Sequence, residues 1–199
     1  MGNFFGIYIK EVSLNFVPSI IPHLYRVDAK LLYLCDLVIS YTDFLFLSSN
    51  ARDVIFYYTV IKYKNGKNVP LEKFVKALPK IKWFAFRDTF DIITTSTVKK
   101  LFEISHFLLL DEIILSNLPE AFDIIEYFAY IKKSKHTKCS FSFSNSLSEA
   151  YKNSVERIVD EILETENHDY SRPLINFHGL NREKYEKLFP LPHHNFIFF

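Results

Sequence analysis

The apolar positions of this chain change period again and again between residues 30 and 190. From Cys139 to Ser144 they alternate, with Phe141 and Phe143 separated by Ser140, Ser142 and Ser144. Period two puts the phenylalanines on one face of a strand and the serines on the other. Beyond Ser146 the period changes. Tyr151, Val155, Ile158, Val159 and Ile162 recur at three- and four-residue steps, and Lys152, Glu156, Arg157, Glu161 and Glu164 fill the gaps. That pattern predicts an amphipathic helix of about five turns. Ser146 with Glu149 has the spacing of a capping box and predicts where it starts.

The same strand-then-helix unit recurs upstream. Ile113 and Leu115 mark a strand, followed by a helix from Asp123 with Ile124, Tyr127, Phe128 and Ile131 on its apolar face. Phe84 and Phe86 precede a helix carrying Val98, Leu101, Phe102 and Ser105, with Thr94, Thr95 and Thr97 as candidate caps. Val54 and Phe56 precede an Asn65-Gly66 turn and a helix with Pro70 in its first turn and Leu71, Phe74, Val75 and Leu78 as its buried stripe. Leu32 and Leu34 open a shorter unit. Ile175 and Phe177 open the last, whose helix starts at Asn181 and carries Tyr185, Leu188 and Phe189.

Taking the first inward residue of each strand as 32, 54, 84, 113, 141 and 175 gives spacings of 22, 30, 29, 28 and 34 residues. A period near 28 with one strand and one helix per unit predicts an α/β, leucine-rich-repeat-like solenoid, its parallel strands on the concave face and its helices on the convex face. The expected organisation is an N-terminal strand or cap segment over 1–30, the repeat domain over 31–189 and a tail over 190–199. Asn117 and Asn145 are the expected bend-forming asparagines. A generic open α/β sheet is the competing fold.

On this reading the strand positions that alternate with the core line the concave, partner-binding surface. They are Tyr33 and Cys35; Ile55 and Tyr57; Trp83, Ala85 and Arg87; Glu112, Ile114 and Ser116; Ser140, Ser142 and Ser144; Asn176 and His178. Trp, Tyr and Arg dominate interface hot spots, so Trp83, Tyr57 and Arg87 are the expected anchors.

Composition narrows the chemistry. Net charge is +1 with no acidic or basic tail, so no broad nucleic-acid footprint is expected. There are only 4 glycines and no phosphate-cradling motif. The 2 cysteines, Cys35 and Cys139, read as buried free thiols of a reducing compartment, cytoplasmic or nuclear. No spanning segment or signal peptide is expected, and hence no membrane partner. His193 and His194 share no helical face, and no metal-binding spacing accompanies them, so no metal or cofactor is expected. No G-x-S-x-G elbow occurs, and no catalytic residue is assigned. Lys132, Lys133, Lys135 and Lys138 read as cations gathered after a helix C-terminus.

The segments SSNARDVIFYYTVIKYKNGKNVPLEKFVKALPKIKWFAF, LPEAFDIIEYFAYIKKSKHTKCSFSF and SEAYKNSVERIVDEILETENHDY resemble the C-terminal region of an expanded group of nematode F-box-type proteins. The resemblance spans roughly residues 25 to 189. It implies substrate recognition: in such families an N-terminal F-box engages a Skp1-type adaptor of a cullin ubiquitin ligase, and the following repeats recruit the substrate. No F-box is visible here, so the resemblance implies the recognition half alone. The combined expectation is a non-enzymatic, protein-binding repeat domain. A ligase subunit with a cryptic adaptor contact is the first alternative and an enzyme with an unrecognised site the second.

Overall fold

A computed structural model describes residues 6–10, 27–87 and 92–189. The strands fall where apolar residues alternate: β1 (Gly6–Lys10), β2 (Leu31–Cys35), β3 (Val38–Ser40), β4 (Asp53–Tyr57), β5 (Val60–Lys62), β6 (Trp83–Arg87), β7 (Glu112–Leu118), β8 (Lys138–Phe143) and β9 (Leu174–Asn176). Seven of them form one open sheet in the order β1-β2-β4-β6-β7-β8-β9, and β3 with β5 forms a small second sheet. Every described strand pairing in both sheets is parallel. The protein is therefore an α/β fold built on a parallel sheet. The tail 190–199 and most of the segment 1–30 lie outside the described residues.

Two rows of side chains cross the large sheet and form the floor of the core. One runs Leu32, Val54, Phe84, Ile113, Cys139; the next runs Leu34, Phe56, Phe86, Leu115, Phe141, Ile175. All are buried. The expected alignment of Phe141 with Ile113 is thus corrected by one inward position: Cys139 holds that place, and the spacing from Ile113 is 26 rather than 28. Farther along the same pair of strands, a register shift between Leu115 and Leu118 lets Phe143 pair with Leu118.

Among the described residues six α-helices cover this floor: α1 (Tyr41–Ser48), α2 (Leu71–Lys76), α3 (Thr97–Phe102), α4 (Ile124–Ser134), α5 (Glu149–Glu164) and α6 (Arg182–Leu188). Their starts follow side-chain chemistry. Asp123 accepts from the Glu126 N–H at 2.9 Å, and Asn181 from those of Glu183 and Lys184. At α5 the cap is Ser148, which accepts from Tyr151 N–H; Ser146 bonds Ser144 instead, so the expected start is two residues early. At α3 the threonines do not cap. Ser96 occupies that position without a side-chain cap bond, its hydroxyl instead meeting Thr94 Oγ1 at 3.1 Å, and Thr97 Oγ1 accepts from the Thr94 N–H. Ser105 lies beyond the end of α3 and is exposed.

Aromatic rings join helices to strands. Phe74 of α2 packs on Phe44 of α1, Phe56 of β4 and Phe84 and Phe86 of β6, with ring centroids 5.6 to 6.3 Å apart. Tyr127 of α4 does the same with Phe102, Phe107, Phe122 and Phe141. Such pairs add ~0.5–1.5 kcal/mol each beyond their buried area.

Two backbone devices repeat along the sheet. The Lys30 carbonyl accepts from the N–H groups of Arg52 and Asp53, that of Arg52 from Lys82 and Trp83, and that of Lys82 from Asp111 and Glu112. Each strand is tied at its entry to the one before. At the other end, Asp36, Tyr58 and Asn117 turn the chain with φ of 55°, 51° and 58°. Each stands four residues after the first inward residue of its strand. Asp and Asn tolerate this left-handed conformation, so Asn117 acts as the expected bend residue; Asn145 does not adopt it.

Candidate functional site: the outward face of the parallel sheet

Alternation leaves a second face on the sheet, pointing away from the helix layer. Strand register arranges it in rows. The first contains Leu31, Asp53, Trp83, Glu112 and Lys138. The second contains Tyr33, Ile55, Ala85, Ile114, Ser140 and Leu174. Cys35 stands beside Tyr57, Arg87 beside Ser116, and Ser142 beside Asn176 farther along.

Most of the residues expected on this face are there, but they do not form one uniform surface. Tyr33, Ile55, Tyr57, Trp83, Arg87, Glu112, Ile114, Ser142 and Asn176 are half-buried. Cys35, Ala85, Ser116 and Ser140 are buried, so their side chains form a floor between larger neighbours rather than a contact surface. Two residues leave the face. Ser144 lies past the end of β8, where its N–H donates to the Leu118 carbonyl. His178 lies past β9 in an exposed turn completed by Gly179 at φ 102°. In both cases the strand ends before the alternation in the sequence does.

The best-built part is at β2, β4 and β6. Tyr33 and Tyr57 meet edge to face at 6.2 Å. The Arg87 guanidinium lies 5.1 Å from the Tyr58 ring centroid. Burial, reinforced by hydrogen bonding with Cys35, pushes the Tyr33 hydroxyl up to about 12. Burial also raises Tyr57, against the pull of Arg87. These phenols stay protonated and offer donors beside aromatic area. Asp53 is raised by desolvation as well, with Arg52 opposing and Asp111 adding to the shift.

Sequence reasoning missed Asp53 and Tyr58. Asp53 precedes the inward Val54, so strand parity alone would have placed it on this face. Tyr58 follows the strand, and its role depends on the left-handed corner. A bulky residue there costs ~1–2 kcal/mol. The contact with Arg87 returns only ~0.5–1 kcal/mol at an exposed site. Tyr58 is 42% exposed.

The helix side offers a different cavity. A cleft of about 570 Å³ between α2 and α3 is lined by Glu72, Lys73, Lys76, Lys100, Glu103 and His106, among others. Its buried acid is engaged: Glu72 bonds Lys100 Nζ at 3.1 Å and accepts from Thr97 Oγ1 at 3.4 Å. His106 Nε2 is 2.9 Å from the Val75 carbonyl and donates to it. These contacts tie α3 and its following loop to α2. Tyr33, Tyr41, Tyr57, Asp53, Tyr127, Cys139, Tyr151 and Tyr170, whose ionisation burial displaces, lie outside this cleft.

Both cysteines are buried free thiols, and desolvation raises Cys139 strongly. Among the described residues no group of three or more His, Cys, Asp or Glu could hold a metal ion, and no helix is long and apolar enough to cross a membrane. His193 and His194 lie outside the described residues. Lys132 and Lys135, at the end of α4, pair with Glu161 and Asp169, which fits their reading as helix-end cations. No family model, curated protein or solved structure matches the chain.

Proposed function

We propose that this protein is a leucine-rich-repeat-like α/β solenoid that binds another protein, without catalysis, through the strand-lined face bearing Tyr33, Tyr57, Trp83 and Arg87. The solenoid reading is supported by sheet order that follows chain order and by the strand-entry hydrogen bonds recurring at Lys30, Arg52 and Lys82. The binding reading rests on one observation above all: aromatic and guanidinium side chains stand half-buried on the face that takes no part in the core. Such groups are the usual source of binding energy in protein interfaces.

The test is comparative affinity capture with three forms of the full chain. The Trp83→Ala, Tyr57→Ala form should lose a partner that the unmodified chain retains. A control form, Leu109→Ser, Ile125→Ser, alters exposed apolar residues off the sheet and should keep it. Equal recovery by all three would end the proposal. A second reading, the substrate-recruiting subunit of a Skp1-cullin-F-box ubiquitin ligase, rests on the family resemblance alone. It requires co-purification with a Skp1-type adaptor.

A further inference from the structure

We infer that the outward face takes its protein partner through a basic side chain, a lysine or arginine laid against the Trp83 indole between Asp53 and Glu112. The inference rests on the partner-binding reading above and gives that partner its chemistry.

Register carries it. Asp53 pairs with Trp83, and Trp83 with Glu112, so the ring has a carboxylate on each side at the spacing of adjacent strands, ~4.8 Å. All three side chains are half-buried. Among the described residues neither carboxylate meets a cation within ion-pair distance. Lys138, next to Glu112 in the register, is exposed and makes no such pair. Asp53 bears the cost of partial desolvation with only Arg52 opposing it. A cation against the ring would meet the π face and two carboxylates in one place, where partial exclusion of water strengthens both attractions.

Ser140, buried, pairs with Ile114 in the next row of the same face. Between Ser140 and Tyr33, Ile114, Ala85 and Ile55 form an apolar floor. The occupant is therefore a protein segment with a basic residue at the Trp83 end and apolar side chains beside it.

Trp83 is the single tryptophan of the chain, so its fluorescence reports this position alone. Peptides selected from a random library on the full chain are titrated against that emission. Recovered peptides should be rich in arginine or lysine and should change the Trp83 signal. Asp53→Asn with Glu112→Gln should weaken them about tenfold, and so should norleucine in place of the peptide's basic residue, which leaves the protein untouched. Peptides that move the Trp83 signal but lack a basic residue, or bind the double variant equally well, would overturn the cation inference and leave the binding face standing. Peptides that bind without moving that signal, or a selection that recovers none, would sink both.

Discussion

Tyr58 occupies a corner where Asp36 and Asn117 stand in the neighbouring units, all with positive φ. Asp and Asn carry that conformation at little cost; a tyrosine does not. Tyr58→Asn should therefore raise unfolding free energy by up to about 1 kcal/mol in a denaturant titration, while Asn117→Val lowers it by about 1–2 kcal/mol. The first change should also remove the Arg87 contact. Asp53 makes a second prediction at this scale. Desolvation raises its folded-state pKa, so protonation favours the folded form. Its contribution is most favourable below the ordinary carboxylate range and is lost as pH rises through the folded value. Asp53→Asn should stabilise the protein at neutral pH, and the gain should vanish in acid. Parity in the sequence places Asp53 correctly. Its desolvation is not legible there, because that depends on what the neighbouring strands bring beside it.

At the scale of elements, the junction between α2 and α3 is held by a charge. Glu72 is 4% exposed, and its partners Thr97 and Lys100 come from the next unit, 25 and 28 residues on. Lys100→Met leaves that carboxylate buried with only a hydroxyl. The expected loss is about 1–3 kcal/mol by thermal or chemical unfolding, while Lys99→Met, on an exposed neighbour, should change little. In the sequence Glu72 reads as an ordinary surface acid after a proline. Nothing in the local pattern distinguishes it from Glu103, which is exposed. Helix starts are more legible but are easily displaced by a residue or two. The stretch Ser144-Asn145-Ser146-Leu147-Ser148 offers several hydroxyls, and Ser148 caps because its extended backbone directs Oγ at the Tyr151 N–H.

Across the whole molecule, stability is distributed through contacts between neighbouring units. Phe74 joins α1, α2, β4 and β6 through four rings. Phe74→Ala should cost about 3–5 kcal/mol. If the units stack as a one-dimensional repeat, the damage should be uneven. Hydrogen exchange should rise most in residues 53–87, while α5 and β8 keep more of their protection. Uniform loss of protection along the chain would favour a single cooperative core and count against the repeat reading.

Alternation and three-to-four spacing are local consequences of the direction in which side chains leave a strand or a helix. They were enough to identify an α/β chain with a parallel sheet and nearly every inward residue. Tertiary structure decided what lies between units. It set the true partner of Ile113, the ends of β8 and β9 that exclude Ser144 and His178, the burial of Ala85 and Ser140, and the placing of Trp83 between two carboxylates. The reason is distance along the chain. Partners in the sheet come from residues 22 to 34 positions apart. The irregular links between units, and one register shift, fix which of those residues meet.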